Sequence, residues 1–192
     1  MRDRIISVNL KGPWNCVRAI VPNMMEQRYG RIINVSSVTG PRVAAAGLTA
    51  YAASKGGVSG LTRALALEFA EFNITVNAIL PGYADTPMLR GAAVDLGMND
   101  EEFAAMLAQT VPLKRLGSID DIGDLAVFLA SDESKYITGT EIVIDGGNII
   151  QETKCNFYSV WRCRMLEEYK GMHHLGIGVK NYAAMKEFYV NT

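Results

Sequence analysis

Residues 31–80 read RIINVSSVTGPRVAAAGLTAYAASKGGVSGLTRALALEFAEFNITVNAIL, and this stretch decides the fold. It opens with Arg31–Ser36, a short, apolar and β-branched run that is typical of a strand buried on both faces. From Tyr51 to about Phe72 apolar residues recur at helical spacing, and Ile74–Leu80 is a second buried strand. A strand, a helix and a strand in this order predict a right-handed crossover between parallel neighbours.

Helices and strands also alternate outside this stretch. Upstream, Ile5–Gln27 predicts one helix, distorted by its prolines, that stops at Gly30. Ser118 predicts the start of another helix, and Asp121 makes its beginning a near-miss of the capping box. The elements expected downstream are a helical region, that helix and a third strand: Thr86–Gln109, Ser118–Ala130 and Glu141–Ile144. This order predicts an α/β fold with a parallel sheet of three strands.

Composition narrows the class of protein. The 192 residues leave room for one domain, or for one domain and a fragment. A net charge of -1 argues against binding nucleic acid through a basic face, and three cysteines argue against a disulfide scaffold. The sequence has neither a signal peptide after Met1 nor an apolar run of about 18 residues that could span a membrane. We therefore expect a soluble cytoplasmic protein that engages neither nucleic acid nor a membrane.

The composition changes near residue 150. Residues 151–192 hold 7 of the 16 aromatic residues, two of the three cysteines and both histidines. This change predicts two segments of different origin, 1–150 and 151–192.

Tyr51 and Lys55 are the first candidates for chemistry. Four residues apart on a helix, their side chains share one face. A phenol has an ordinary pKa of about 10, and a nearby ammonium group lowers it, so the pair can act as a general acid/base. For an isolated match an exposed helical pair is the better interpretation, but Ser36 and Ser37 end the preceding strand, where open α/β sheets bind ligands.

Several motifs in order resemble the short-chain dehydrogenase/reductase family. They cover about residues 1–150, which would form part of a Rossmann-like, doubly wound parallel sheet made of the C-terminal strands and helices only. The matching stretches are Val8-Asn9-Leu10, Asn34-Val-Ser-Ser-Val-Thr-Gly40, Tyr51-Ala-Ala-Ser-Lys55, Asn77-Ala-Ile-Leu-Pro-Gly82, Thr86-Pro-Met88 and Ile144-Asp-Gly-Gly147.

The resemblance implies an oxidoreductase that interconverts a small-molecule alcohol and a carbonyl with NAD or NADP. Ser37 would hydrogen-bond the substrate oxygen, and Tyr51 would donate or accept the proton. Lys55 would bind the nicotinamide ribose and lower the pKa of Tyr51, and Asn9 would hold a water in the proton relay. Besides Tyr51 and Lys55, the residues expected to contact the cofactor are Pro81, Gly82 and Thr86.

Simpler interpretations of some of these residues stay open. Asn9 could be an ordinary helix residue, and Ser36 a turn residue. Thr86 could cap the following helix, and Pro81-Gly82 could simply end a strand.

The sequence departs from the family in its cofactor half. The family begins with a strand and a Thr-Gly-x-x-x-Gly-x-Gly turn, which seats the pyrophosphate at a helix N-terminus. This sequence lacks that turn, its one Gly-x-Gly being Gly176–Gly178, and it also lacks the residue that chooses between NAD and NADP. Met1 would then fall in the family's fourth crossover helix. We expect the 192 residues alone to bind the cofactor weakly and to be inactive, and a disrupted reading frame would account for this.

Two other functions are alternatives. The chain could be a non-catalytic association module, because the family pairs the helices matching 5–27 and 51–72 into homodimers or homotetramers. The residues expected to offer apolar surface there are Trp14, Val17, Leu61 and Leu65.

A metal-dependent lyase or dioxygenase built on the tail is the weakest hypothesis. Residues 151–171 resemble no domain and are interpreted as a connector. Residues 172–192 resemble the first strand and helix of a glyoxalase or vicinal-oxygen-chelate domain, in which His174 would be a metal ligand. A single ligand makes no metal site, so no metal is expected.

Overall fold

A three-stranded parallel sheet forms the centre of the structure, a computed structural model that describes residues 2–95 and 97–151. Its strands are β1 (Gly30–Val35), β2 (Ile74–Pro81) and β3 (Glu141–Ile144), side by side in that order. Both pairings are parallel, with Gly30 opposite Ile74 and Ala78 opposite Glu141. The predicted α/β class and the three predicted strands are confirmed, with strand ends that differ by a residue.

The described residues also form six α-helices. The first two are joined by a π-helical turn, Ser7–Lys11, and the third is followed by a 3-10 turn, Ala70–Phe72. The helices are α1 (Arg2–Ile6), α2 (Gly12–Gln27), α3 (Thr49–Phe69), α4 (Pro87–Asp95), α5 (Asp100–Thr110) and α6 (Ile119–Ala130). Of these, α2, α3 and α6 contact the strands.

The first helical segment is continuous but irregular, as its prolines predict. Its hydrogen-bond pattern changes in the π turn before α2. Pro13 has no N–H to donate to the carbonyl of Asn9 four residues earlier, so the α-helical pattern cannot continue there. The expected stop at Gly30 is wrong. Arg28 ends α2 in the left-handed conformation, at a φ of 50°, and Gly30 begins β1. A Cβ on Gly30 would lie 2.6 Å from Met24 Sδ, so a larger residue here would require the Met24 side chain to shift.

The main core lies between α2, α3 and one face of the sheet. β2 is buried along almost its whole length because it is the central strand. Burial of each large aliphatic side chain here contributes about 1.5–3 kcal/mol to the free energy of unfolding, relative to an exposed position. The buried members of this cluster are Val17, Val21, Ile32, Leu65, Ala66, Ile74 and Val76.

This core corrects part of the expected association surface. Val17 and Leu65 are almost wholly buried in this core, although both also line the groove between α2 and α3. Trp14 is 55% exposed, and Leu61 is partly buried at the margin of the core. Val35 is 54% exposed, since β1 is the edge strand of the described sheet.

The start of α6 is a complete capping box rather than the expected near-miss. Ser118 Oγ accepts a hydrogen bond from the Asp121 N–H at 3.0 Å, and the Asp121 carboxylate accepts one from the Ser118 N–H at 2.7 Å. The hydrogen bond from Arg115 and those from Ser118 hold the pKa of Asp121 well below its usual value. An aspartate therefore does here what glutamate usually does.

The tail lies outside the described residues beyond Gln151. The connector expected at 151–171, the glyoxalase-like fragment expected at 172–192 and His174 are therefore predictions that no contact tests. Among residues 2–95 and 97–151, none of the helices contains an apolar stretch of the length that a bilayer span needs.

Candidate active site

The predicted site residues converge on the carboxyl end of the sheet. Ser37 follows β1 by two residues, while Tyr51 and Lys55 lie on the first two turns of α3. Pro81 ends β2, and the loop after it carries Gly82 and Thr86. Parallel strands bring these segments to one edge of the sheet, where α/β proteins bind ligands.

Lys55 is half-buried and points at the end of β1. Its Nζ donates a hydrogen bond to the Val35 carbonyl at 2.9 Å and lies 5.7 Å from the centre of the Tyr51 ring. Burial lowers the pKa of Lys55, and no carboxylate among the described residues forms an ion pair with it. The lysine therefore places a partly desolvated ammonium beside the phenol.

The two serines after β1 play different parts. Ser36 Oγ donates to the Lys55 carbonyl at 2.9 Å, which supports the interpretation of Ser36 as a structural residue. Ser37 Oγ accepts from the Thr39 N–H at 3.1 Å, which uses only an acceptor position of that hydroxyl. Its O–H can therefore still be donated to a substrate oxygen.

The loop that carries Ser37 is anchored on both sides. The Ser36 N–H donates to the Ile79 carbonyl at 2.9 Å and the Val38 N–H to the Pro81 carbonyl at 3.1 Å, so β2 fixes its start. Farther along, Gly40 adopts a φ of 111° and lies so close to α3 that a Cβ would come within 2.4 Å of the Ala52 carbonyl oxygen. These contacts set the position of Ser37 relative to α3.

The same loop is tied to β3 by charge. Arg42 contacts the Glu141 carboxylate at 3.1 Å, and Arg63 on α3 contacts its other oxygen. The Glu141 side chain is only 7% exposed, so this ion pair is better shielded than an ordinary surface pair.

Asn9 reaches the site through a residue that the sequence analysis missed. Its Nδ2 donates to Ser54 Oγ at 3.1 Å, and Ser54 Oγ donates to the Tyr51 carbonyl at 2.7 Å. Ser54 is fully buried. A serine three residues after Tyr51 on a predicted helix was the available signal, because serine hydroxyls often bond the carbonyl one turn earlier.

The loop after β2 packs tightly against β3. The Gly82 N–H donates to the Ile144 carbonyl at 3.0 Å, and a Cβ on Gly82 would lie 2.5 Å from Asp145 Cβ. A glycine is thus required by the close approach of two backbones. Thr86 Oγ1 accepts from the Leu89 N–H at 3.4 Å, a long bond that agrees with the N-cap interpretation of Thr86.

Arg90 joins the loop after β2 to α4. Its guanidinium makes two hydrogen bonds of 2.8 Å to the Asp85 carboxylate, and these hold the pKa of Asp85 below its usual value. The Asp85 N–H also donates to the Gly117 carbonyl at 2.8 Å. The loop after β2 is therefore held at Asp85 by α4 and by the backbone of Gly117.

Together these groups suit proton transfer at an oxygen atom. A phenol, an ammonium group and a hydroxyl stand on segments fixed to one another by hydrogen bonds. Among the described residues, no three histidine, cysteine or acidic side chains cluster closely enough to hold a metal ion.

Known proteins similar to this chain are reductases and other oxidoreductases. Residues 2–148 match a family model described as enoyl-(acyl carrier protein) reductase. The oxidoreductase UcpA of Escherichia coli K12 is 48% identical over 153 residues, which are 79% of this chain and 58% of the relative. The chain thus spans about three fifths of the length of the curated relatives it matches.

Solved structures show the same partial correspondence. Levodione reductase superposes with a TM-score of 0.73 at 36% identity, over 78% of this chain and 58% of that one. A gluconate 5-dehydrogenase from Burkholderia cenocepacia, solved with NADP and tartrate, gives a TM-score of 0.67 at 35% identity over 75% and 54% of the two chains.

Proposed function

Since the chain belongs to the short-chain dehydrogenase/reductase family of oxidoreductases, we propose that its residues serve the interconversion of an alcohol and a carbonyl. The substrate is a small molecule, and NAD or NADP is the hydride carrier. The observation that carries this proposal is the pair formed by Tyr51 and Lys55 at the carboxyl end of the sheet, with Ser37 on the adjoining loop.

The donor groups present fit the nicotinamide end of such a cofactor. Lys55 offers an ammonium group suited to ribose hydroxyls, and Thr86 offers a hydroxyl at the rim of the same edge. Pro81 and Gly82 would line the nicotinamide end, at the point where the backbone after β2 lies against the backbone after β3. The cofactor, when bound, supplies or accepts the hydride.

Each protein group then has a distinct task. Ser37 donates its O–H to the substrate oxygen and orients it. Tyr51 transfers a proton to that oxygen during reduction and takes it back during oxidation. The ammonium of Lys55 stabilises the phenolate that remains after proton donation, because opposite charges attract strongly in a partly desolvated site. Asn9 holds a water in the proton relay that returns a proton to Tyr51.

We infer that the 192 residues by themselves bind the dinucleotide weakly. The sequence contains no glycine-rich turn for the pyrophosphate, so the ligand would be held only at its nicotinamide end and would lose most of its contacts. Fluorescence titration of the purified chain with NADH and with NADPH tests this. Binding in the micromolar range, or turnover, would refute it.

Association through helices is the second candidate function. An apolar groove of about 510 Å³ lies between α2 and α3, with Trp14 and Leu61 in its lining. We propose that a second copy packs here, giving a homodimer or homotetramer. Sedimentation of Leu61→Arg against wild type tests this, with Leu67→Arg as the control because Leu67 is 83% exposed and lies outside the groove. Loss of the oligomer in both variants, or in neither, would contradict it.

A further inference from the structure

Ser54 occupies a buried position between two parts of the candidate site. Its hydroxyl has one proton, which it donates to the Tyr51 carbonyl, and its oxygen still accepts the hydrogen bond from Asn9. Ser54 is fully buried, so losing either hydrogen bond would leave a polar group without its partner in a buried position, which costs free energy. The two bonds therefore form a continuous link from the π turn to the turn of α3 that begins at Tyr51.

A second contact between the π turn and α3 lies close to Ser54. Leu10 packs so closely over Gly57 that a Cβ there would lie 2.9 Å from Leu10 Cδ2. Gly57 is three residues after Ser54 and shares its face of the helix. Asn9 and Leu10, two adjacent residues of the π turn, thus contact α3 at Ser54 and at Gly57. A shift of the π turn would therefore change the hydrogen bond at Ser54.

We propose that Ser54 is a positioning residue, which ties Asn9 to the helical turn carrying Tyr51. The position of the helical turn that carries Tyr51 then depends on the π turn through this hydroxyl, beside the packing of Leu10 on Gly57. The catalytic meaning of the link rests on the proposed function, in which Tyr51 transfers the proton, but the link itself does not.

The same helix provides a matched control. Ser59 is also buried on α3, at 3% exposure, yet its Oγ has no hydrogen-bond partner in the described structure. A buried serine on α3 therefore need not connect anything. Replacing Ser59 by alanine removes the same atoms as the Ser54 change without breaking a link.

The test uses the full 192-residue chain with 13C at the ζ carbon of its tyrosines, and Tyr51→Phe assigns the Tyr51 resonance. We expect Asn9→Ala to move this resonance although it leaves the bond between Ser54 and Tyr51 intact. Ser54→Ala should move it too, and adding Asn9→Ala to Ser54→Ala should have no further effect. Ser59→Ala should move it several-fold less.

Three results would overturn the proposal. They are an unmoved resonance in Asn9→Ala, additive effects in the double variant, and an equal shift in Ser59→Ala. Should Ser54→Ala fail to fold, Ser54→Cys replaces it, because a thiol fills the site but is a weak hydrogen-bonding group. No cofactor or turnover enters the measurement, so failure of the proposed oxidoreductase activity would leave its outcome unchanged.

Discussion

Replacing Gly40 by alanine should loosen the loop that carries Ser37. Gly40 has a φ of 111°, a backbone conformation that L side chains rarely adopt, and an added Cβ would lie 2.4 Å from the Ala52 carbonyl oxygen. That oxygen belongs to α3, one residue after Tyr51, and cannot retreat without bending the helix. The loop must therefore move away from the Tyr51 turn.

The cost can be divided into two parts. An alanine in the left-handed region costs about 1–2 kcal/mol, partly offset by about 0.4–1 kcal/mol from the stiffer unfolded chain. Overpacking against the helix adds about 1–3 kcal/mol. We expect the free energy of unfolding to fall by about 1–5 kcal/mol in Gly40→Ala, of which about 1–3 kcal/mol comes from overpacking.

Gly47 separates these two parts. It also has a positive φ, 82°, but a Cβ there would meet nothing within 4 Å. Gly47→Ala should therefore cost only the conformational part, about 0–1.5 kcal/mol. Urea unfolding followed by circular dichroism at a helix band gives both values. Equal losses in the two variants would refute the close approach of the Ser37 loop to α3.

Three further changes have definite expected outcomes. Burial lowers the pKa of Lys55, so the unfolded chain binds more protons than the folded chain between that lowered pKa and the ordinary 10.5. The stability of wild type relative to Lys55→Met should rise with pH across this window and be constant below it, and urea unfolding from neutral to alkaline pH would contradict this if the difference stayed flat. Asn77→Ala should lower the free energy of unfolding by about 2–4 kcal/mol, because the buried amide serves both the Ile137 carbonyl at 2.8 Å and the Thr140 N–H at 3.1 Å. Asn23→Ala, which loses only an exposed bond to Gln27, is its control and should stay within about 0.5 kcal/mol of wild type in the same assay. Gly57→Ala should displace Leu10 and move the Tyr51 13C resonance, whereas Gly60→Ala, with no atom near the added Cβ, should leave it in place.

The strands and helices were readable from the sequence because burial imposes a period on them. β2 is the clearest example: most of its residues are apolar, as the central strand of a parallel sheet requires, and only Thr75 and Asn77 interrupt the run. The ends of the helices were harder to predict, because residues other than the usual ones occupy the positions that end or begin them. Arg28 takes the left-handed conformation that glycine usually supplies, and Asp121 closes a capping box expected of glutamate.

The site was predictable only in part. The spacing of Tyr51 and Lys55 follows from helix geometry alone, and their chemistry from their functional groups. The contact of Lys55 with the Val35 carbonyl and the role of Ser54 depend on how the π turn and β1 meet α3. Such contacts between segments far apart in the chain leave no periodic trace in the sequence.

Under the proposed function, residues 1–151 carry the proton-transfer half of an oxidoreductase site. A chimera tests it most directly, joining the part of Escherichia coli UcpA that the match leaves uncovered to residues 1–151 of this chain. We predict NADH- or NADPH-dependent reduction of a carbonyl from a panel of small ketones, lost by about 100- to 10,000-fold in Tyr51→Phe. A chimera that binds the cofactor but reduces nothing on the panel, or a Tyr51→Phe chimera within tenfold of its parent, would contradict the claim.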